Sequence, residues 1–199
     1  MTDTVERGST LRKTLHLGGT LFLVTAVTGL ILGLVQWTTA EAIRTAQGKE
    51  KDQALMSVMP GAETFKALKL VSGADPAVLG VEEALKGSET VGYCVTVTSK
   101  GYGGPVEIVV GLTREGSVRA IQILSQSETP GLGAKAAEPF FFKQFENRER
   151  LPLRVVKQTP SAPDEIQAIS GATITSSAVV AGVNAAVDYW KRDIEGGAK

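Results

Sequence analysis

The strongest pattern in the chain is an uncharged apolar run near the N-terminus. Residues 17–35 contain no charged side chain, and a helix over this run would have no polar face. At a rise of about 1.5 Å per residue, such a helix comes close to the roughly 30 Å thickness of a membrane hydrocarbon core. The pattern therefore predicts a transmembrane helix over residues 17–37, with Trp37 at the membrane interface, where tryptophan is enriched.

The basic residues before this run predict how the helix crosses the membrane. Arg7, Arg12 and Lys13 precede it, and a basic flank remains on the cytoplasmic side. We therefore expect residues 1–16 in the cytoplasm and the chain after residue 38 outside it. The helix would be a single-pass anchor in the plasma (inner) membrane.

A cleaved signal peptide is the alternative interpretation of the same run. Residues 40–42 have the small-x-small form of a cleavage site. The apolar segments of signal peptides usually span about 7–15 residues. The longer run in this chain favours an uncleaved anchor.

The chain after the anchor predicts a helical stalk followed by an α+β domain. Residues 38–60 combine apolar positions with many charges, which is typical of a solvated helix, and Pro60 and Gly61 end it. Residues 61–195 form the predicted domain. Within it, residues 62–90 show only weak periodicity and predict short elements of mixed type.

Three segments of the domain predict an antiparallel sheet. Residues 91–99, 106–112 and 118–124 are rich in β-branched side chains and alternate between apolar and polar positions. Residues 113–116 suit a hairpin loop between the last two strands. Cys94 lies in the first strand, where a small buried apolar side chain is the favoured interpretation.

Helices and one further strand are predicted after the sheet. Residues 134–147 predict a helix, residues 151–157 a strand and residues 176–194 the last helix. Apolar side chains of the last helix recur on one face, at Val179, Val183, Val187 and Trp190. The earlier helix carries four phenylalanines, for which core packing is favoured and a platform for a planar ligand is the alternative. They are Phe140, Phe141, Phe142 and Phe145.

Composition limits the chemistry that the side chains can perform. Basic and acidic residues number 21 each, which argues against a nucleic-acid binder, since such a protein normally has a basic excess. A single cysteine and a single histidine cannot form an internal disulfide, an iron–sulfur site or a structural zinc site. With no acid–base pair or nucleophile constellation, we predict no catalytic residue and no metal ligand. Redox activity would need an organic cofactor.

The segment with the clearest chemical potential is SGATITS at residues 170–176, just before the last predicted helix. Its small residues leave the hydroxyl of Thr173 accessible, and the positive end of a helix dipole favours a phosphate there. Ordinary helix capping by Thr175, Ser176 or Ser177 is the alternative interpretation of this segment.

Three segments in order resemble the FMN-binding domain family. They are GYGGP at residues 101–105, ETPGLG at residues 128–133 and SGATITS at residues 170–176. Behind a single N-terminal anchor, this layout is similar to that of the G subunits of Rnf-type electron-transport complexes. It is also similar to that of the C subunits of sodium-translocating NADH:quinone reductases. The resemblance covers the anchor and residues 40–195.

This resemblance implies a covalent flavin. A separate flavin transferase would esterify the FMN phosphate to the hydroxyl of Thr173, with Ser170, Gly171, Ala172 and Thr175 around the attachment point. The cofactor would then stay with the protein outside the cytoplasm, where the cytoplasmic FMN pool is out of reach.

The resemblance also places the flavin ring against the glycine-rich loop. It implicates Thr129, Gly131 and Leu132 in that contact. Two places depart from the usual family pattern: Gln167 stands where an acidic residue is frequent, and residues 126–127 are Gln-Ser where His-Lys is frequent.

The function implied by the resemblance is that of an electron relay. The chain would be one subunit of an Rnf-type translocase that moves electrons between ferredoxin and NAD while transporting Na+ or H+, and it would not be catalytic alone. Its partners would be the membrane and other subunits of the complex, including iron–sulfur and flavin subunits. Two alternatives remain open: a flavinylated domain of another extracytosolic reductase, and an anchored assembly module without flavin.

Overall fold

The computed structural model describes residues 3–71, 73–149 and 151–196, with side chains described from residue 16 onward except at residues 42, 44 and 47. Two compact units make up the chain, Met1–Lys49 and Glu50–Lys199. Part of the predicted cytoplasmic segment, including the side chains of Arg7, Arg12 and Lys13, lies outside the described residues.

The first unit consists of the greater part of helix α1 (Asp3–Val58). Within α1, His16–Glu41 is long and apolar enough to cross a membrane, with a mean hydropathy of 2.1 and no burial inside the protein. Threonine hydroxyls in this stretch donate to carbonyl oxygens one turn earlier, as at Thr20, Thr25 and Thr28. These hydroxyls are therefore satisfied within the helix, as an apolar surrounding requires.

The second unit is built on a five-stranded antiparallel sheet whose strands follow one another in chain order. The three predicted strands are present as β3 (Glu89–Lys100), β4 (Pro105–Thr113) and β5 (Val118–Ser125). The prediction missed two strands in the weakly periodic segment, β1 (Thr64–Leu68) and β2 (Val78–Lys86). β1 has no buried residue, and two adjacent glutamates interrupt β2, so neither shows a clean alternation.

One face of the sheet is covered by helix α3 (Thr173–Tyr189), which continues as a π-helical turn over Trp190–Glu195. The apolar face predicted for this helix is confirmed, because Val179, Val183, Val187 and Trp190 are all buried in the main core. The helix begins at Thr173, three residues before its predicted start.

The opposite face of the sheet is covered by the last two turns of α1. Leu55 and Val58 pack there with Cys94 and Val109 in a second apolar cluster. A Cβ at Gly111 would lie 2.6 Å from the backbone oxygen of Val58, so the absence of a side chain allows this close approach. The stalk predicted over residues 38–60 is helical to Val58, but its end is buried rather than solvated.

An ion pair joins the end of α1 to the same face of the sheet. Lys51 Nζ lies 2.5 Å from Glu82 Oε1, and the Glu82 side chain is almost fully buried. A buried carboxylate needs a partner to offset its desolvation. Lys51 supplies that partner for Oε1, so the ion pair links the end of α1 to β2.

The segment predicted as one helix over residues 134–147 is three short pieces. A 3-10 turn at Gly133–Ala137, helix α2 at Pro139–Phe142 and a 3-10 turn at Lys143–Phe145 follow one another. Pro139 breaks the helix because it has no N–H and forces the preceding residue into an extended conformation.

Most phenylalanines of this segment pack in or against the hydrophobic core. Phe141 and Phe145 are fully buried, with their rings edge to face and the centroids 5.5 Å apart. Phe142 packs partly against the same core, whereas Phe140 is exposed. Beyond them, β6 (Arg154–Val156) pairs in parallel with β7 (Glu165–Gln167) in a small second sheet, and β6 is shorter than the strand predicted there.

The burial of Cys94 leads to a testable prediction about its reactivity. Burial raises the pKa of the Cys94 thiol to about 12, with the nearby Glu82 carboxylate adding to the shift and Lys51 opposing it. At pH 8 only about one thiol in ten thousand would then be ionised, and the thiolate is the reactive form. In the native protein in detergent, Cys94 should resist a disulfide exchange reagent.

The single cysteine makes this measurement unambiguous. The same protein in guanidinium should release one equivalent of reporter rapidly. A native protein that reacts at the unfolded rate would show that the end of α1 does not cover this face of the sheet.

Candidate functional site

The three glycine-containing segments singled out in the sequence meet at one cavity. Its volume is about 470 Å³, and its lining comes from the loop after β3, the loop after β5 and the first turn of α3. The lining residues are Tyr102, Glu128, Thr129, Leu132, Gly133, Gly171, Ala172, Thr173, Ile174 and Thr175. Segments some 70 residues apart in the chain are thereby brought into a single site.

The loop after β5 is shaped by a tight turn. The N–H groups of Leu132 and Ala134 both donate to the Thr129 carbonyl oxygen, at 3.1 and 3.2 Å. Gly131 lies between Thr129 and Leu132 and has φ at 78°, a conformation that favours glycine. The turn directs Thr129 and Leu132 to the cavity, while Gly131 is not part of its lining.

The segment before α3 is also shaped by a glycine. Gly171 has φ at 75°, and the Ala172 N–H donates to the carbonyl oxygen of Ile169. The chain then enters α3, and Thr173 is its first residue. Thr173 is exposed, so its hydroxyl is accessible to another molecule at the edge of the cavity.

Helix capping does not account for the hydroxyl groups of this segment. Ala172 is the N-cap residue of α3, and no side chain forms a capping hydrogen bond there. Ser176 instead donates to the Ala172 carbonyl oxygen and accepts from the Ile169 N–H, while Thr175 donates to Glu128. The start of the helix therefore keeps unsatisfied N–H groups and a positive dipole end of about half a charge, which suits an anion.

The side chain at the centre of the site is Glu128. Its Oε1 accepts a hydrogen bond from the Gly103 N–H at 3.0 Å, and its Oε2 accepts one from the Thr175 hydroxyl at 2.7 Å. Glu128 thus connects all three segments, and it is buried. The sequence prediction did not single it out, because a lone glutamate before Thr-Pro-Gly looks like an ordinary loop residue.

The open side of the cavity is lined by exposed apolar and aromatic groups. Tyr102 is 73% exposed, Ile174 57% and Leu132 44%. All three line the same cavity, and a contiguous exposed apolar patch often marks a binding surface. A planar ring could contact them while one of its edges stays accessible.

The structure brings together most of the predicted site residues. Thr173, Gly171, Ala172, Thr175, Thr129 and Leu132 all line the cavity, whereas Ser170 and Gly131 do not. Sequence reasoning missed four lining residues, namely Tyr102, Glu128, Gly133 and Ile174. All four lie within the three segments, so the segments themselves were the signal that could have identified them.

A family model and several individual proteins match this chain in sequence. The FMN-binding domain family matches residues 101–188, which include all three segments. The G subunit of a proton-translocating ferredoxin:NAD(+) oxidoreductase complex from Clostridium ljungdahlii is 36% identical over 81% of this chain and 83% of its own length. The G subunit of a Na(+)-translocating ferredoxin:NAD(+) oxidoreductase complex from Acetobacterium woodii is 35% identical over 88% of this chain and 90% of its own.

The chain belongs to this family of G subunits, and it contains an FMN-binding domain. A solved structure agrees with the fold of the domain. The C subunit of the Na(+)-translocating NADH-quinone reductase from Parabacteroides distasonis superimposes with a TM-score of 0.56 at 19% identity, over 74% of this chain and 94% of that one.

The residues of the cavity fit FMN. The volume lies within the range of roughly 300–1,000 Å³ that is usual for small-molecule sites. The uncapped start of α3 suits a phosphate, and the apolar side chains at the opening suit the faces of a ring. With this FMN-binding domain behind an apolar N-terminal helix, the chain is a membrane-associated electron-transport protein.

Proposed function

We propose that this chain is an electron-relay subunit of an Rnf-type ion-translocating complex and that it carries FMN as a phosphoester on Thr173. The observation that carries the proposal is the position of Thr173: an exposed hydroxyl, at the uncapped start of α3, on the edge of a cavity. Among the residues of the lining, Thr173 is thus both accessible and next to the helix end that favours a phosphate.

The residues around Thr173 support its role as the acceptor. A side chain at Gly171 would be strained by the positive φ and would approach Leu132, so glycine keeps the space between these two lining residues open. Ala172 is small and buried, and it adds no bulk at the cavity. Relative to free FMN, the ester forms between Thr173 Oγ1 and phosphorus with the net loss of one water.

In the proposed relay, the cofactor would accept and donate the electrons. When bound, FMN exchanges electrons singly or in pairs, so it can link one-electron iron–sulfur partners with two-electron carriers. The chain contributes the attachment point, the ring surface and the membrane anchor.

The relatives indicate which partners to expect. Those from Clostridium ljungdahlii and Acetobacterium woodii are subunits of ferredoxin:NAD(+) oxidoreductase complexes, one proton-translocating and one Na(+)-translocating. We infer that this chain assembles with iron–sulfur and flavin subunits of such a complex, which couples electron transfer to Na+ or H+ transport. We also infer that a flavin transferase matures it.

The first prediction concerns the attachment point. Thr173→Val should give a folded, membrane-bound protein without covalent flavin, because the ester needs the hydroxyl oxygen and valine keeps the shape of the side chain. Fluorescence of the denatured protein in a gel, after co-expression with the transferase, measures the bound flavin. Intact mass should increase by FMN less one water in the wild type only.

Ser177→Ala is the matched control for this variant. Ser177 lies one turn along the same helix and is exposed, like Thr173. It should keep full fluorescence. Full fluorescence in Thr173→Val would exclude Thr173 as the acceptor.

The second prediction concerns orientation. The basic residues before the apolar run predict, under the positive-inside rule, that residues 38–199 lie outside the cytoplasm. Protease added to intact spheroplasts should therefore digest the domain and leave a short N-terminal fragment protected. Protection of the whole domain until the cells are lysed would reverse the orientation.

The third prediction concerns the loop after β5, which we propose lies against the flavin ring. Thr129→Val removes a hydroxyl from the cavity lining while keeping the shape, and it should shift the flavin midpoint potential modestly, by the loss of a hydrogen bond worth about 1 kcal/mol. Flavin attachment should not change. Redox titration of the purified protein measures the potential.

Gly131→Val tests the same loop by a different physical effect. A Cβ at Gly131 meets no neighbouring atom, but φ at 78° strains any side chain there. The variant should therefore distort the turn that directs Thr129 and Leu132, shift the flavin absorption band and lower thermal stability. An unchanged spectrum and potential in both folded variants would refute the contact between loop and ring.

A further inference from the structure

The carboxylate of Glu128 joins the three segments of the site through its two oxygens. One oxygen accepts from the backbone N–H of Gly103 and the other from the hydroxyl of Thr175. Both Glu128 and Thr175 are buried, with 7% and 1% of their surfaces exposed. Burial of a carboxylate is costly because its charge loses hydration, so a buried carboxylate is normally held by hydrogen bonds or a paired charge.

Two glycines leave the space that this carboxylate occupies, and a third lies against the backbone next to it. A Cβ at Gly101 would overlap Oε1 of Glu128, and a Cβ at Gly133 would overlap Oε2. A Cβ at Gly103 would overlap the backbone oxygen of Ser127, next to Glu128. The loops after β3 and β5 are therefore shaped around this one side chain.

The partners of the carboxylate are neutral. Within the described part of the chain, no cation forms an ion pair with Glu128. Its hydrogen bonds thus link loops to each other and do not neutralise a neighbouring charge. The two hydrogen bonds offset part of the cost of burying the carboxylate, and they also fix the positions of the two groups that donate them.

That geometry bears directly on Thr173. Successive residues of an α-helix are rotated by about 100°, so side chains two positions apart point in nearly opposite directions. Thr175 is held inward by Glu128, and Thr173 is exposed on the outside of the same turn. The direction of the Thr173 side chain therefore follows from the orientation of the first turn of α3, to which the hydrogen bond from Thr175 to Glu128 contributes together with those of Ser176.

We propose that Glu128 is a positioning residue for flavin attachment: by holding Thr175, it fixes the first turn of α3 in the orientation that presents Thr173. This inference rests on the proposed function, in which Thr173 is the acceptor. Glu128 itself takes no part in forming the ester.

Paired variants separate this role from general stability. Thr175→Val keeps the shape but removes the donor, and Glu128→Leu removes both acceptors. Each should lower the rate of flavin attachment about tenfold or more, since a hydrogen bond to a charged group is strong enough for a change of that size. The rate is measured by intact mass at limiting flavin transferase, on protein in detergent.

Conservative variants should restore attachment. Thr175→Ser keeps the hydroxyl, and in Glu128→Gln the amide oxygen can accept from Gly103 while the amide NH₂ donates to the Thr175 oxygen. Both should flavinylate at close to the wild-type rate. Should Glu128→Gln be as slow as Glu128→Leu, the charge and not the geometry would be needed, and the proposal would be overturned.

Glu165→Gln provides the matched control. Glu165 is another buried carboxylate of the domain, held by the Ser161 and Ala162 N–H groups and by Arg154, and it does not line the cavity. Its variant should flavinylate normally. An equal loss of attachment in this control, or no loss in folded Thr175→Val, would overturn the positioning role.

Hydrogen exchange of the flavin-free protein distinguishes a failure of this inference from a failure of the proposed function. The peptide that covers residues 173–176 should exchange faster in Thr175→Val than in the wild type, and Thr175→Ser should match the wild type. If the wild type takes up no flavin, the proposed function fails, and the exchange data still test the role of Glu128. Unchanged exchange in Thr175→Val would overturn that role.

Discussion

The architecture of the domain depends on covering two apolar faces of a single sheet. Strands β3 and β4 are buried on both sides, with Val95, Val97 and Ile108 facing the main core and Cys94 and Val109 facing the second cluster. An antiparallel sheet usually leaves one face to solvent. Here α3 covers one face and the end of α1 covers the other, so the helix that carries the apolar N-terminal segment also completes the fold of the domain.

This arrangement determines where the site can lie. The packing of α3 on β3 and β4 brings its N-terminus to the ends of the strands from which the two glycine-containing loops leave. Ser99, near the end of β3, donates to the Ala178 carbonyl oxygen and ties the helix to the sheet at this end. The cavity forms where the dipole end, the loops and Glu128 meet, and it needs no additional domain.

Much of this could be predicted from the sequence, and the failures have physical causes. The strands β3 to β5 and the apolar face of α3 follow directly from periodicity, because their side chains divide cleanly between core and surface. β2 was missed since Glu82 is buried through its ion pair with Lys51, a tertiary contact that no local pattern reveals, and β1 was missed since it has no buried residue. The helix expected over residues 134–147 failed at Pro139, where local chemistry outweighed an apolar run.

The site shows a similar division. The segments were recognisable through their resemblance to a known family, and Thr173, Thr129 and Leu132, which that resemblance implied, lie on the cavity. Glu128 and Tyr102 were overlooked, since the importance of a side chain within a loop depends on which distant groups it meets. The position of Gly131 shows the converse: its positive φ was predictable from its place after Thr-Pro, but its absence from the lining was not.

The exposure of the site argues for the kind of attachment proposed for it. An electron relay needs an accessible ring edge, and the exposed Tyr102, Leu132 and Ile174 leave the cavity open on that side. Without a covalent bond, retention depends on the surplus of favourable contacts over the cost of binding, and an open cavity offers fewer such contacts. The proposed ester at Thr173 would separate the two requirements: the first turn of α3 would retain the cofactor, and the cavity could remain as open as electron transfer demands.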